Sequence, residues 1–377
     1  MASIPLFKVF MNKDVMTPLE KTLMSGYITQ GSRVSEFEKE LSEYLEIPYL
    51  LTLNSATSGL TLALRLLGVN RDEDVVLTPA LTCFATTASI LSYGVSIRWI
   101  DTDPNTGNVS IPDIKSKLTE KTKVIYVVHW GGTPVDLDEL DQVLEDHKQI
   151  YGFKPSVVED CAHAFGAKYN NKSLGNHGNI CVYSTQAIKQ LTTGDGGIIT
   201  LPTKEMYDRC KLLRWYGIDR DNRSYSKKDF RLENDIVEWG YKFHMNDISA
   251  TIGLSNLKVI EDEVLKKNKG NAKFLKNSIK NEAIQLLTTP EKSESADWLF
   301  TIKILNGRKQ EFIDYMLSKQ IMVSQVHNRN DVNTCVESFQ SPLPNLDVLE
   351  KQIVCIPVGW WLTEENREYI VKCVNEF

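Results

Sequence analysis

Short apolar runs rich in β-branched residues recur through the N-terminal half of the chain: Tyr49–Leu53, Val75–Thr78, Ser96–Ile100, Val124–Val128, Ser156–Glu159, Ile180–Tyr183 and Gly197–Thr200. Between them lie segments of helical period, such as Ser58–Leu67, apolar at Leu60, Leu62, Leu64 and Leu67, and Leu137–His147. Continuous apolar strands alternating with amphipathic helices predict an α/β fold with a mostly parallel, seven-stranded sheet covered on both faces. Ligands of such sheets bind beyond the carboxyl ends of the strands, so the residues that follow each run are the ones to inspect.

The rhythm changes after about residue 205. A helix over Lys204–Trp215 leads into the polar, aperiodic stretch Asp219–Asn234, which reads as a loop, and then into a long helical region from Asn246 to about Ile279. Strands are predicted over Trp298–Leu305, Met322–Val326 and Val354–Val358, and helices over Gln310–Lys319 and Thr363–Val374. The pattern predicts two domains: a large one over residues 1–250 and a smaller α+β domain over residues 251–377.

Composition narrows the class. A chain of 377 residues with 42% hydrophobic and 24% charged positions is a globular protein of enzyme size. The net charge of −6 disfavours nucleic acid and anionic membrane as partners, so any anionic ligand must be held by local donors. The seven cysteines are scattered, without a CxxC pair, and read as free thiols in a reducing compartment with no zinc site. No basic segment followed by an apolar one opens the chain, and the uncharged stretch Val75–Ile97 contains Pro79 and Gly94, as a strand and a buried helix would. The expectation is a soluble, cytoplasmic protein with no bound metal.

Candidate chemistry lies at the strand ends. Ser156–Asp160 ends in an acid and is followed by Cys161-Ala-His163; Asn179–Tyr183 runs into Ser184 and, five residues on, Lys189, then Gly194-Asp-Gly-Gly197. A carboxylate at one strand end and an amine past the next suit pyridoxal phosphate chemistry, in which the acid keeps the pyridine nitrogen protonated and the lysine forms a Schiff base and moves protons. Ser184 would offer a hydroxyl to the phosphate, and the glycines allow backbone to approach a ring closely. Taken singly, Asp160 could cap a helix and Lys189 could be a solvated lysine. Asn54-Ser-Ala-Thr-Ser-Gly59 opens a helix after the first clear strand, which makes either an anion site at the helix N-terminus or an ordinary cap by Ser55 or Thr57.

Among the remaining histidines, His327 ranks above His129 and His177 as a substrate contact, because Arg329 beside it would suit a diphosphate.

These motifs, with Ser25–Gly31, Thr82–Thr86, Val128–Asp136 and Gly240–Ala250, resemble in order and along the whole chain the DegT/DnrJ family of pyridoxal-phosphate-dependent nucleotide-sugar aminotransferases. The resemblance implies the type I aminotransferase fold, with Lys189 as the Schiff-base lysine and Asp160 as the partner of the pyridine nitrogen. It places the backbone of Ala56 and Thr57 and the hydroxyl of Ser184 on the phosphate, and His163 beside the phenolic oxygen, where a glutamine is usual. It implies a homodimer with active sites at the subunit interface, Gly194–Gly197 near the partner's site, and Lys242 reaching a phosphate where many members have asparagine. Two departures stand out: Cys83, with Phe84 next, replaces the aromatic that stacks on the ring, and His244 replaces an arginine.

The implied activity is transfer of an amino group from L-glutamate to a nucleotide-linked 4-keto-6-deoxyhexose, giving a 4-amino-4,6-dideoxy sugar for surface polysaccharide. The alternatives are a 3-keto sugar aminotransferase, a pyridoxal-dependent sugar dehydratase and a non-catalytic sensor. The first of these shares the reaction class; the retained Lys189 disfavours the dehydratase, and Asp160, Ser184 and Lys189 together disfavour the sensor.

Overall fold

The computed structural model describes residues 3–229 and 231–377. Seven strands form the main sheet: β1 (Leu50–Leu53), β2 (Val75–Pro79), β3 (Ser96–Ile100), β4 (Thr122–Val128), β5 (Ser156–Asp160), β6 (Ile180–Ser184) and β7 (Gly197–Thr200), in the spatial order β1-β7-β6-β5-β4-β2-β3. Pairing is parallel from β3 through β6, and β7 alone runs against its neighbours. The expected class is therefore what the chain adopts, and the apolar residues of the strands, Val75 excepted, are buried because both faces are covered. Leu51, Leu53, Val158 and Val182 pack with the helix Ala56–Leu66, whereas Leu50, Cys181, Tyr183 and Ile198 pack with the helices Ser32–Leu45 and Asp247–Leu257.

Two sequence motifs far apart in the chain meet at the helix Ser32–Leu45. Asp247 Oδ1 accepts hydrogen bonds from the backbone N–H of Gly31 at 2.7 Å and of Val34 at 3.1 Å, so a carboxylate from another helix caps this N-terminus.

The C-terminal part carries a three-stranded antiparallel sheet, Ile284–Leu286, Phe300–Ile304 and Ile353–Ile356, packed on the helices Lys266–Ser278, Lys309–Ser318 and Glu364–Glu376. Ile4, near the start of the chain, is buried in this C-terminal core and pairs with Ile321. The long helical region is broken by a π-helical turn over Glu261–Leu265. Met322–Val326 is not a strand: Ser324 makes an isolated bridge to Cys355, and Val326 has φ of 71°, which ends extended pairing there. No helix among the described residues is long and apolar enough to cross a membrane.

Candidate active site

A cavity of about 670 Å³ opens beyond the carboxyl ends of β1, β2, β4, β5 and β6. Its floor is built from the segments singled out in the sequence: Ser55, Ala56 and Thr57 after β1, Thr82 and Cys83 after β2, Asp160 closing β5, and Ser184 closing β6. Lys189, His163 and His327 also line it.

Ser55 caps the helix Ala56–Leu66, accepting from Ser58 N at 3.1 Å; Ala56 and Thr57 line the cavity, and their N–H groups, in the first turn, have no helical partners. Of the two readings of this segment, the cap by Ser55 is present. Gly197, the first residue of β7, is required here, because a Cβ on it would lie 2.5 Å from Ser55 C and 2.6 Å from Ala56 N.

Asp160 is buried, and its Oδ2 accepts from Thr86 Oγ1 at 2.7 Å while Oδ1 accepts from Ala162 N at 3.0 Å. Burial raises its pKa, and the two donors and Lys189 oppose that rise. Lys189 sits on the loop between β6 and β7, which is closed by Thr185 N to Gly196 O at 3.0 Å and tied to its surroundings by Trp298 Nε1 to Ile188 O at 2.9 Å and Gln190 Nε2 to His163 O at 2.7 Å. Burial lowers the lysine to about 7, against the opposing pull of Asp160. At neutral pH a large share of this amine is uncharged, as a nucleophile and base must be.

The opposite wall is aromatic and was not visible in the sequence. Phe7 stacks on Trp298 with ring centroids 5.2 Å apart, and Trp298 stacks on His163 at 4.1 Å. The His163 and His327 rings are nearly parallel, with their Nε2 atoms 3.4 Å apart. Burial pushes His163 well below the usual histidine range and His327 down to about 4, with Lys189 adding to both effects, so the pair is neutral at physiological pH.

Several expectations change. Arg329 does not line the cavity: Nε and one terminal nitrogen hold both oxygens of Asp331 at 2.8 and 2.7 Å, and the other reaches Asp347 at 2.5 Å and Glu350 at 3.4 Å. With its donors committed to three carboxylates, it is a structural anchor rather than a diphosphate ligand. His129 is fully buried between Glu159 Oε2 at 2.9 Å and Val135 N at 3.0 Å, and His177 bonds Tyr169 O at 2.9 Å, so neither meets the cavity. Lys242 is exposed and outside this cavity, although its carbonyl accepts from Asn54 Nδ2 at 3.2 Å, next to the helix start at Ser55. Asp195 and Gly196 line the cavity of their own chain. Phe84 does not turn in; Cys83 and Ala162 line the cavity instead, and Cys161 is buried behind it.

The donor set suits pyridoxal phosphate: a helix N-terminus and a hydroxyl for the phosphate, a buried carboxylate for the ring nitrogen, and a neutral amine for the aldehyde.

Comparison with known proteins agrees. Residues 10–375 match the model of the DegT/DnrJ/EryC1/StrS aminotransferase family. A solved sugar aminotransferase, CalS13 from Micromonospora echinospora, is 40% identical, with a TM-score of 0.93 over 99% of each chain. Spr1654 from Streptococcus pneumoniae, solved in its PLP form, is 26% identical with a TM-score of 0.89 over 99% of this chain and 98% of its own. GDP-perosamine synthase of Escherichia coli O157:H7 is 27% identical over 380 residues, 100% of this chain and 99% of that protein. The chain thus belongs to the DegT/DnrJ/EryC1/StrS aminotransferase family and is a sugar aminotransferase that uses pyridoxal phosphate.

Proposed function

We propose that this chain moves an amino group from L-glutamate to a nucleotide-linked 4-keto-6-deoxyhexose, giving a 4-amino-4,6-dideoxy sugar nucleotide, in the cytoplasm. The observation that carries the reaction class is the convergence of Asp160, Lys189 and the Ala56–Thr57 helix start on one cavity. Full-length similarity to GDP-perosamine synthase, together with the look of Ser25–Gly31 and Gly240–Ala250, supports amination at the 4-position, since perosamine is a 4-amino-4,6-dideoxy sugar.

Pyridoxal phosphate, when bound, supplies an aldehyde that exchanges amino groups and a ring that accepts electrons. The residues do the rest. The N–H groups of Ala56 and Thr57 and the Ser184 hydroxyl would hold the phosphate, Asp160 would keep a proton on the pyridine nitrogen, and His163 would contact the phenolic oxygen. Lys189 Nζ would take a proton from the α-carbon of glutamate in one half-reaction and give a proton to the ketone carbon of the sugar in the other, exchanging it each time with the bound cofactor, and its pKa of about 7 allows transfer in both directions. Phe7 and Trp298 exclude water from that wall.

The cavity of one chain is short of positive charge for these substrates. Lys189 is the one lysine or arginine among its described lining residues, and Asp160 and Asp195 are negative. Glutamate carries two carboxylates and the nucleotide a diphosphate. A second copy of the chain would supply cations from its exposed Lys242, and Met24, Tyr27, Val237 and Trp239 are apolar side chains left 54–93% exposed for such a partner to cover. The reading is a homodimer with shared sites.

Incubation with a panel of nucleotide-linked 4-keto and 3-keto sugars plus glutamate, with mass spectrometry of products, tests this. A 4-amino product with 2-oxoglutarate is the expected result. A 3-amino product moves the reaction to the other carbon. Loss of water without net glutamate consumption makes the chain a dehydratase, and no product with any sugar overturns the proposal.

A further inference from the structure

Behind Asp160 lies a short chain of hydroxyls. Thr86 Oγ1 is 2.7 Å from Asp160 Oδ2 and 2.9 Å from Thr82 Oγ1, and all three residues are buried. An ionised carboxylate has no hydrogen to give, which orders the chain: Thr82 donates to Thr86, and Thr86 donates to Asp160. The only other hydrogen bond to this carboxylate among the described residues comes from Ala162 N.

Packing alone does not call for these hydroxyls. Thr86 lies in the first turn of the helix Phe84–Tyr93, where valine has the same shape and no polar atom to desolvate. The segment is also held from outside. Asn330 N donates to Ala80 O at 2.8 Å and Asn330 Nδ2 to Thr87 Oγ1 at 2.9 Å, while neighbouring Arg329 is clamped by its three carboxylates.

We propose that Thr86, oriented by Thr82, is a positioning residue for Asp160: its hydroxyl keeps the carboxylate charged and turned so that it meets the cofactor's pyridine nitrogen. The role of Asp160 in this statement rests on the function proposed above; the Thr86 contact does not. The ionisable groups that face Asp160 are Lys189, His129, Tyr126 and Cys161, and burial is the larger pressure toward its neutral form. The Thr86 donor opposes that pressure most among the groups that do.

The test compares wild type with Thr86→Val, Thr86→Ser and Thr82→Val. Carboxyl titration of Asp160 in the cofactor-free protein, followed by carbon NMR with aspartate labelling and assigned with Asp160→Asn, is expected to show a higher pKa in Thr86→Val and a near wild-type value in Thr86→Ser. Affinity for pyridoxal phosphate, read from quenching of protein fluorescence, is expected to fall about ten- to a hundred-fold in Thr86→Val, the worth of one hydrogen bond to a charged group, and to recover in Thr86→Ser. Thr82→Val shifts both in the same direction by less and serves if Thr86→Val does not fold. An unchanged Asp160 titration in a folded valine variant overturns the proposal. A shifted titration in a protein that binds no pyridoxal phosphate leaves the Thr86 contact standing and overturns the function instead.

Discussion

The amine of Lys189 lies 3.4 Å from the centroid of the Trp298 ring, although 109 positions of sequence separate the two residues. The ring face attracts a cation, but the same ring excludes water, and exclusion of water dominates here because burial holds the lysine at about 7. The reactivity of Lys189 toward an acylating reagent, followed by peptide mass spectrometry in the cofactor-free protein, should rise with a midpoint near pH 7, well below that of surface lysines. Trp298→Ala admits water and should move the midpoint upward. A wild-type midpoint in the ordinary lysine range near ~10.4 would contradict this account.

The two neutral imidazoles make a prediction about stability. The unfolded chain protonates His327 near its usual 6.5, whereas the folded chain protonates it only at about 4. Between those values the unfolded state binds more protons, so the pair's contribution to stability falls as pH drops from 6.5 toward 4. Urea unfolding at a series of pH values should show wild type losing stability relative to His327→Gln across that window. Parallel curves for the two proteins would mean that His327 is not held neutral.

How much of this was legible in the sequence depended on the distance over which a residue acts. The strands, the strand-end acid Asp160, Lys189 and the helix start at Ser55 announce themselves through local alternation, because strand ends converge in any parallel sheet. Trp298 and Phe7 carry no such sign: they reach the cavity from the C-terminal part of the chain and from its start, and each alone looks like an ordinary core aromatic. Thr86 lies within a motif quoted from the sequence, yet its role depends on a carboxylate two strands away in the sheet. Arg329 misled for the opposite reason. Its neighbour His327 does face the cavity, but Asp347 and Glu350, which claim the guanidinium, approach on a later helix that sequence spacing could not bring near.

Arg329 therefore belongs to stability. It is 8% exposed, and Asp331, its bidentate partner, is 6% exposed, so Arg329→Met leaves a buried carboxylate unpaired. Breaking such a pair costs about 3–5 kcal/mol. Chemical denaturation should show a loss of that size, with a KM for the nucleotide sugar little changed in the protein that remains folded. A raised KM with unchanged stability would return Arg329 to the substrate.

The thiols report on the cavity from inside. Cys83 and Cys335 are exposed, and the other five cysteines are buried. Iodoacetamide should label only those two in the native protein, with Cys161 reacting after unfolding because burial also raises its thiol far above the usual range. Pyridoxal phosphate should slow labelling of Cys83, which lines the cavity, and leave Cys335 unaffected. Equal protection of both, or of neither, would remove Cys83 from the cofactor's surroundings.

Gly197 tests the anion site through backbone alone. A methyl group there meets Ser55 C at 2.5 Å and Ala56 N at 2.6 Å, both main-chain atoms that cannot rotate away. Gly197→Ala must therefore push β7 from the turn that opens the helix Ala56–Leu66, at a cost of about 1–3 kcal/mol for overpacking. The displaced atoms include an N–H assigned to the phosphate, so cofactor retention should suffer more than the fold. Equilibrium dialysis against pyridoxal phosphate should show weaker binding in Gly197→Ala, while pyridoxal without its phosphate, which makes no use of that N–H, should bind both proteins alike. If both ligands weaken equally, the substitution has disturbed the cavity as a whole, and the phosphate does not sit at this helix.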